Sequence, residues 1–296
     1  MQAPKKVRRM AIEYGVPASL RGKVWGWFMS NGMNGRVNGL FARLVTNEEG
    51  PFDVQIERDV QTVYSDHSQF RKGSPAQDDL RTLLRAYVHF APSGYRTDIA
   101  RLAGALLIHA VLEDAFWLLS GLFNGVLKNY YVLDTNAFVI DLNVFCGVLE
   151  GSEPRLGQLF RSTGVLREYK QVELSIGTEL TFIAEHYLVK WWSGMFIRTL
   201  PWPTVLRLLD AVIAEGPRYL MIASLAVLTI SRDRLLALPR TRAAITDFLH
   251  KPPQDSLVLP DTFMRACEQV KFRDDDLKKL RASVKSQMLA AAKQRA

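Results

Sequence analysis

The chain has 296 residues, 48% of them hydrophobic, which is enough for a large buried core in one domain or in two packed lobes. A charged share of 23% and a mean hydropathy of -0.02 exclude an intrinsically disordered chain. The net charge of +8 comes without an RNP, zinc-finger or glycine-rich phosphate motif, which excludes nucleic acid as the expected partner.

The N-terminal segment, 1–13, carries a basic cluster of Lys5, Lys6, Arg8 and Arg9. No apolar run follows those charges, so it does not read as a signal peptide. Residues 31–39 are rich in glycine and asparagine and predict a surface loop. Further breaks fall near 50–51, 91–94, 151–154 and 251–260. The most apolar stretch, 102–123, is interrupted by His109, Glu113 and Asp114. A membrane span needs roughly 20 residues with few or no charges, so this stretch predicts a buried core helix. A second buried helix is predicted over 113–127, with Gly125 near its end.

Apolar residues at three- and four-residue spacing over 205–213 predict an amphipathic helix. Pro201 and Pro203 stand at its start, and Gly216-Pro217 ends it. Residues 220–230 are almost all apolar and predict a buried central helix. The C-terminal segment, 271–296, reads as a charged helix or tail. Its Lys271, Arg273, Lys278, Lys279, Arg281 and Lys285 are mixed with Asp274, Asp275 and Asp276. Both basic clusters are expected to be solvated helix faces with at most weak contact to anionic lipid. No run has strand periodicity and no repeat has solenoid period. The fold class is therefore all-α. The break near Gly151 is expected to divide an N-terminal lobe, 14–150, from a C-terminal lobe, 151–270.

Cys146 and Cys267 lie outside any CxxC or Cys/His cluster, so the expectation is two buried apolar thiols in a reducing, cytoplasmic setting. His67, His89, His109, His186 and His250 lack metal-ligand spacing. Neither a metal nor a cofactor is predicted, and no nucleophile–base pair stands out.

Three segments together resemble one known family. The first is Gly15-Val16-Pro17 followed by Leu20-Arg21-Gly22-Lys23-Val24-Trp25, with an Arg-x-x-x-Trp spacing. The second is Ile56-Glu57-Arg58-Asp59-Val60-Gln61-Thr62, ending at His67. The third runs from Tyr87 through Gly94-Tyr95-Arg96-Thr97 to Glu113-Asp114-Ala115-Phe116-Trp117. Trp191-Trp192, Leu200-Pro201-Trp202-Pro203, Leu208-Leu209-Asp210 and Glu215-Gly216 follow in order. Over about 14–230 this resembles the TBC domain of Rab GTPase-activating proteins. The resemblance implies an all-helical domain of two lobes in a V shape. It also implies a GTP-bound Rab-type small GTPase as partner, and a role in vesicle traffic peripheral to endomembranes.

In that family an arginine in the second segment and a glutamine in the third reach into the GTPase active site. The arginine stabilises charge spreading over the transferring phosphoryl group. The glutamine amide, donor and acceptor at once, orients the attacking water. Here the matching positions are Thr62 and Thr97, followed by Asp98 and Ile99. An arginine finger is worth about 10³–10⁵ in rate, and a short neutral threonine cannot supply that from the same backbone position. The sequence therefore predicts a catalytically degenerate GTPase-binding protein whose groove includes Asp59, Thr62, Tyr95, Arg96, Thr97 and Asp98. Arg58, Gln61 and Arg96 are the candidates to replace the missing groups. Arg21 and Trp25 are expected to brace the lobe, with Asp59 in a similar polar role, and Trp117, Trp191 and Trp192 to fill core. The alternatives are an active GTPase activator using a displaced arginine, and a scaffold that holds a partner other than a GTPase.

Overall fold

The computed structural model describes residues 4–29, 36–45, 50–91, 95–127, 135–166, 187–252 and 259–293. Every regular element among them is helical, and no strand occurs among the described residues. The all-α expectation holds. The chain falls into two compact units. The first comprises Met1–Leu133 with Leu209–Gly216, and the second Asp134–Leu208 with Pro217–Ala296.

In the first unit the helices are α1 (Lys5–Glu13), α2 (Arg21–Met29), α3 (Leu40–Leu44), α4 (Asp53–Thr62), α5 (Pro75–Phe90), α6 (Thr97–Leu107) and α7 (Leu112–Gly121). A π turn, Leu122–Val126, extends α7. Helix α5 packs against α3, α4, α6 and α7. Its Leu80, Leu83, Leu84 and Tyr87 recur at helical spacing and are all buried. Ser74 caps it by accepting from the Gln77 backbone N–H at 3.4 Å, with Pro75 at the first helical position.

The second unit contains α8 (Thr135–Ser152), α9 (Pro154–Ser162), α10 (Tyr187–Ser193), the first half of α11 (Trp202–Glu215), α12 (Arg218–Ile230), α13 (Arg232–Ala237), α14 (Arg242–His250), α15 (Pro260–Gln269) and α16 (Asp274–Lys293). Helix α12 is buried from Tyr219 through Leu228, as its unbroken apolar run requires. Trp192 donates to Ser224 on α12 at 2.8 Å, and Trp191 donates to the Leu249 carbonyl at 3.1 Å. Both indoles are core, as are Trp25 and Trp117. Gly216, at φ +87°, ends α11 in a backbone conformation that side chains disfavour.

Three expectations are corrected. The stretch 102–123 is not one helix. It is the end of α6 and then α7, parted at 108–111, because Glu113 and Asp114 belong in a first helical turn, where their charge suits the helix dipole. Helix α11 is not half-exposed: Leu208–Ile213 are buried without exception, Asp210 included. The units also divide elsewhere than at Gly151. Proline at the start of α9 turns the chain there, but α8 and α9 pack on each other inside one unit. The loop expected over 31–39 and the breaks at 91–94 and 251–260 fall partly outside the described residues, as does His186.

The basic clusters are less free than their sequence suggests. Arg8 donates to the carbonyls of Ala214 and Phe28, and its guanidinium lies 5.2 Å from the centre of the Phe28 ring. Arg281 forks onto the buried Asp141 carboxylate at 2.6 and 2.5 Å, tying α16 to α8. Among the described residues no helix is long and apolar enough to cross a membrane. Burial pushes the Cys146 thiol up to about 12 and Cys267 higher still.

Helix α2 approaches the connection between α6 and α7 closely at Gly22. A Cβ there would sit 2.3 Å from the His109 carbonyl oxygen, a backbone atom that cannot swing away. Gly22→Ala is therefore expected to destabilise the protein by about 1–3 kcal/mol, the usual cost of forcing extra volume into packed structure. Chemical denaturation followed by circular dichroism measures this, and an unchanged midpoint would show that α2 can slide without loss.

Candidate functional site

Helix α4 presents the second motif and is fastened along one side to α5. Arg81 forks onto Glu57 at 2.7 and 3.0 Å, and Arg85 pairs with Asp53 at 3.0 Å. The Arg81 hydrogen bonds hold the Glu57 carboxyl below its ordinary range. Where α4 ends, its last carbonyls need partners. The buried amide of Gln77 donates to the carbonyls of Val60 and Phe70 at 3.3 and 3.2 Å and accepts from the Gly73 N–H at 2.9 Å. The Asp59 carbonyl receives the Val63 N–H at 2.8 Å and the Thr62 hydroxyl at 3.2 Å. Thr62 is exposed, but its hydroxyl is turned back onto its own helix.

The side chain of Asp59 points the other way, into the unit. Its Oδ2 accepts from the Tyr95 hydroxyl at 2.8 Å. Asp59 is 8% exposed and Tyr95 6%, so this bond is protected from water. Burial, and then the bond to Asp59, drive the Tyr95 phenol well above its usual pKa. The Tyr95 ring also meets Phe52 at 6.1 Å. Two residues after Tyr95, Thr97 opens α6. The second and third motifs are thus joined by a direct buried contact, and of the six residues expected in the groove, Asp59 and Tyr95 are buried while Thr62 and Arg96 are exposed.

Arg96 is exposed and pairs with Asp98 at 2.9 Å, so the acidic charge beside Thr97 is offset locally. Gln61 donates to Glu57 one turn back at 3.3 Å. Arg58 is exposed on α4 and makes no ion pair among the described residues.

The first motif braces the unit from a distance. Asp210, on α11, is fully buried and receives four hydrogen bonds. They come from the Val16 N–H at 2.9 Å, from Arg21 at 3.0 and 3.1 Å, and from the Trp25 indole at 2.8 Å. This gives Arg21 and Trp25 the bracing role read from sequence and names their partner. His109 stands edge-on to Trp25 at 5.4 Å, and burial, then the Arg21 charge, push its pKa down to about 4. Sequence reasoning placed Asp210 in a motif without giving it a role, and it missed Gln77. A lone carboxylate in an apolar run and a Ser-Pro-x-Gln cap were the available signals.

Among the described residues no group of three His, Cys, Asp or Glu could hold a metal ion. The arrangement offers a polar surface built from two helix ends on a rigid support.

Residues 18–236 match the model of the Rab-GTPase-TBC domain family. The chain is 29% identical over 227 residues to human TBC1 domain family member 10B, covering 74% of this chain and 26% of that protein. It is 30% identical over 229 residues to mouse TBC1 domain family member 10A, covering 76% and 42%. The chain thus spans less than half the length of these relatives. Its fold is similar to the crystal structure of the Chlamydomonas flagellar RabGAP TBC domain, with a TM-score of 0.73 at 23% identity over 92% of this chain and 88% of that one.

Proposed function

This chain belongs to the Rab-GTPase-TBC domain family, and from that premise we propose that it binds a GTP-loaded Rab-type small GTPase without accelerating its hydrolysis. The reading makes it a regulator of vesicle traffic that acts in the cytoplasm, peripheral to endomembranes. One observation carries it. The Asp59–Tyr95 bond keeps the two motif segments together, while the positions that the family fills with arginine and glutamine hold threonines. The Thr62 hydroxyl is short, neutral and already engaged with its own helix. Nothing at either position brings positive charge to a γ-phosphate, where transition-state charge would need it.

The test is single-turnover GTP hydrolysis by each member of a Rab panel that the protein binds. Acceleration is expected to stay below about tenfold, against the ~10³–10⁵ that a finger supplies. Arg58 supports a second reading, in which a displaced arginine restores activity, because it is exposed one turn before Thr62 with no ion-pair partner among the described residues. A thousandfold acceleration abolished by Arg58→Ala would make the protein an enzyme and overturn the first reading.

Membrane contact is expected to be weak, because Arg8 and Arg281 are committed inside the protein and acidic residues pair with Arg273 and Lys278 on α16 and just before it. Anionic liposomes should retain the protein only at low salt. Salt-resistant co-sedimentation would assign the basic clusters a membrane role.

A further inference from the structure

Arg101 differs from the arginines around it. Arg21, Arg81, Arg85 and Arg96 all pair with carboxylates. Arg101 is half-buried on α6, yet no carboxylate pairs with its guanidinium among the described residues, and its buried Nε has no hydrogen-bond partner. Asp98, three residues earlier on the same helix, engages Arg96 instead. A cation held partly out of water without a counter-charge is an unfavourable arrangement in the free protein.

Its position is fixed by the two motif segments. Thr97 lies one turn before Arg101, on the same face of α6. Long side chains on a helix lean toward its N-terminus, so an arginine at 101 covers the surface next to Thr97. From the other segment, the Tyr64 hydroxyl donates to the Arg101 carbonyl at 3.1 Å, two residues after Thr62. The Tyr64 ring runs along α6 as far as Gly104, where a Cβ would meet it at 2.9 Å. Tyr64 holds φ +53°, a strained value for a residue with a side chain, and these contacts keep it there. Burial raises the Tyr64 phenol above its ordinary pKa, and the charge of Arg101 opposes that rise, which places the guanidinium near the same corner.

We propose that Arg101 is the cation through which this surface engages a carboxylate of its GTPase partner. The proposal rests on the reading that a Rab-type GTPase is bound here. The guanidinium fork suits a carboxylate, and its planar pair of N–H groups distinguishes it from lysine.

The experiment measures affinity of the full chain for a panel of purified Rab-type GTPases loaded with a non-hydrolysable GTP analogue or with GDP. For any GTPase bound by the native protein, Arg101→Ala is expected to weaken binding by about 10–100-fold, the range for a central charge-pairing arginine. The same change should flatten the dependence of affinity on salt. Arg101→Lys should recover part of the affinity, which a purely structural role would not predict. A carboxylate contact is expected to give an equal loss in both nucleotide forms, and a loss confined to the analogue-loaded form would place the guanidinium on the γ-phosphate and overturn the proposal. Because Arg101→Ala removes packed side chain, Arg101→Gln is measured alongside and is expected to show the same loss with native helix content. Unchanged affinity and salt dependence in the Ala and Gln variants would overturn the proposal while leaving the functional reading intact. If the native protein bound no GTPase of the panel, both would fall.

Discussion

Asp210→Ala is expected to cost the protein about 3–5 kcal/mol, the penalty for leaving a buried charge without its partner. The carboxylate of Asp210 is fully buried and accepts from the Val16 backbone, from two nitrogens of Arg21 and from the Trp25 indole. Arg21 is 7% exposed, so its charge has nowhere to go when the carboxylate is removed. Native stabilities are commonly about 5–15 kcal/mol, and a loss of this size consumes much of that margin. Asp210→Asn keeps the volume and one acceptor oxygen but turns an NH2 group on the donors that faced the other oxygen and leaves Arg21 without a counter-charge, and should fall nearly as far. Replacing both partners by apolar residues, Arg21→Met with Asp210→Leu, should recover a large part of the loss, since no charge is then stranded. Denaturant unfolding read by tryptophan emission and circular dichroism measures all three variants. A cost below about 1 kcal/mol for Asp210→Ala would show that water or relaxation reaches this carboxylate.

The second large effect is a gain. Thr62→Arg combined with Thr97→Gln is expected to raise GTP hydrolysis by a bound Rab-type GTPase at least tenfold over the native protein. The ceiling is the ~10³–10⁵ of an arginine finger, about 4–7 kcal/mol of barrier. Thr62→Arg also releases the bond by which the threonine hydroxyl turns back to the Asp59 carbonyl. The two groups act on one transition state, so the double variant should exceed the sum of the single changes in barrier terms. Full activity is not expected, because Asp98 and Ile99 follow Thr97 and differ from the family pattern. The Arg96–Asp98 pair at 2.9 Å softens the effect of the acid. Unchanged hydrolysis by a double variant that still binds its GTPase would mean that the helix ends cannot deliver these groups to the nucleotide.

Helix class was legible from spacing alone, and α12 and the close of α11 at Gly216 emerged as expected. Local patterns could not show that α6 and α7 are separate, because an apolar run is compatible with both one helix and two. The role of Asp210 was hidden for a different reason: its partners lie 185–194 residues away in sequence, beyond the reach of any window. The site was half legible. The resemblance set Asp59 and Tyr95 in one expected groove, and the geometry adds that both are buried and that Tyr95 donates to Asp59 at 2.8 Å. Arg101 escaped notice because a lone arginine on an amphipathic helix is unremarkable until its lack of a counter-charge is visible.

The membership of Leu209–Gly216 in the first unit constrains how the protein is made. During synthesis from the N-terminus, everything up to Leu133 emerges before the carboxylate that neutralises Arg21 exists. At about 5–20 residues per second, the 77 residues separating Leu133 from Asp210 take roughly 4–15 s to add. Throughout that interval the nascent unit carries an unmatched guanidinium and an unbonded indole at the place where α2 must settle. Completion of the first unit therefore waits until α11 has been added, and the waiting intermediate is the form that chaperones would be called on to hold.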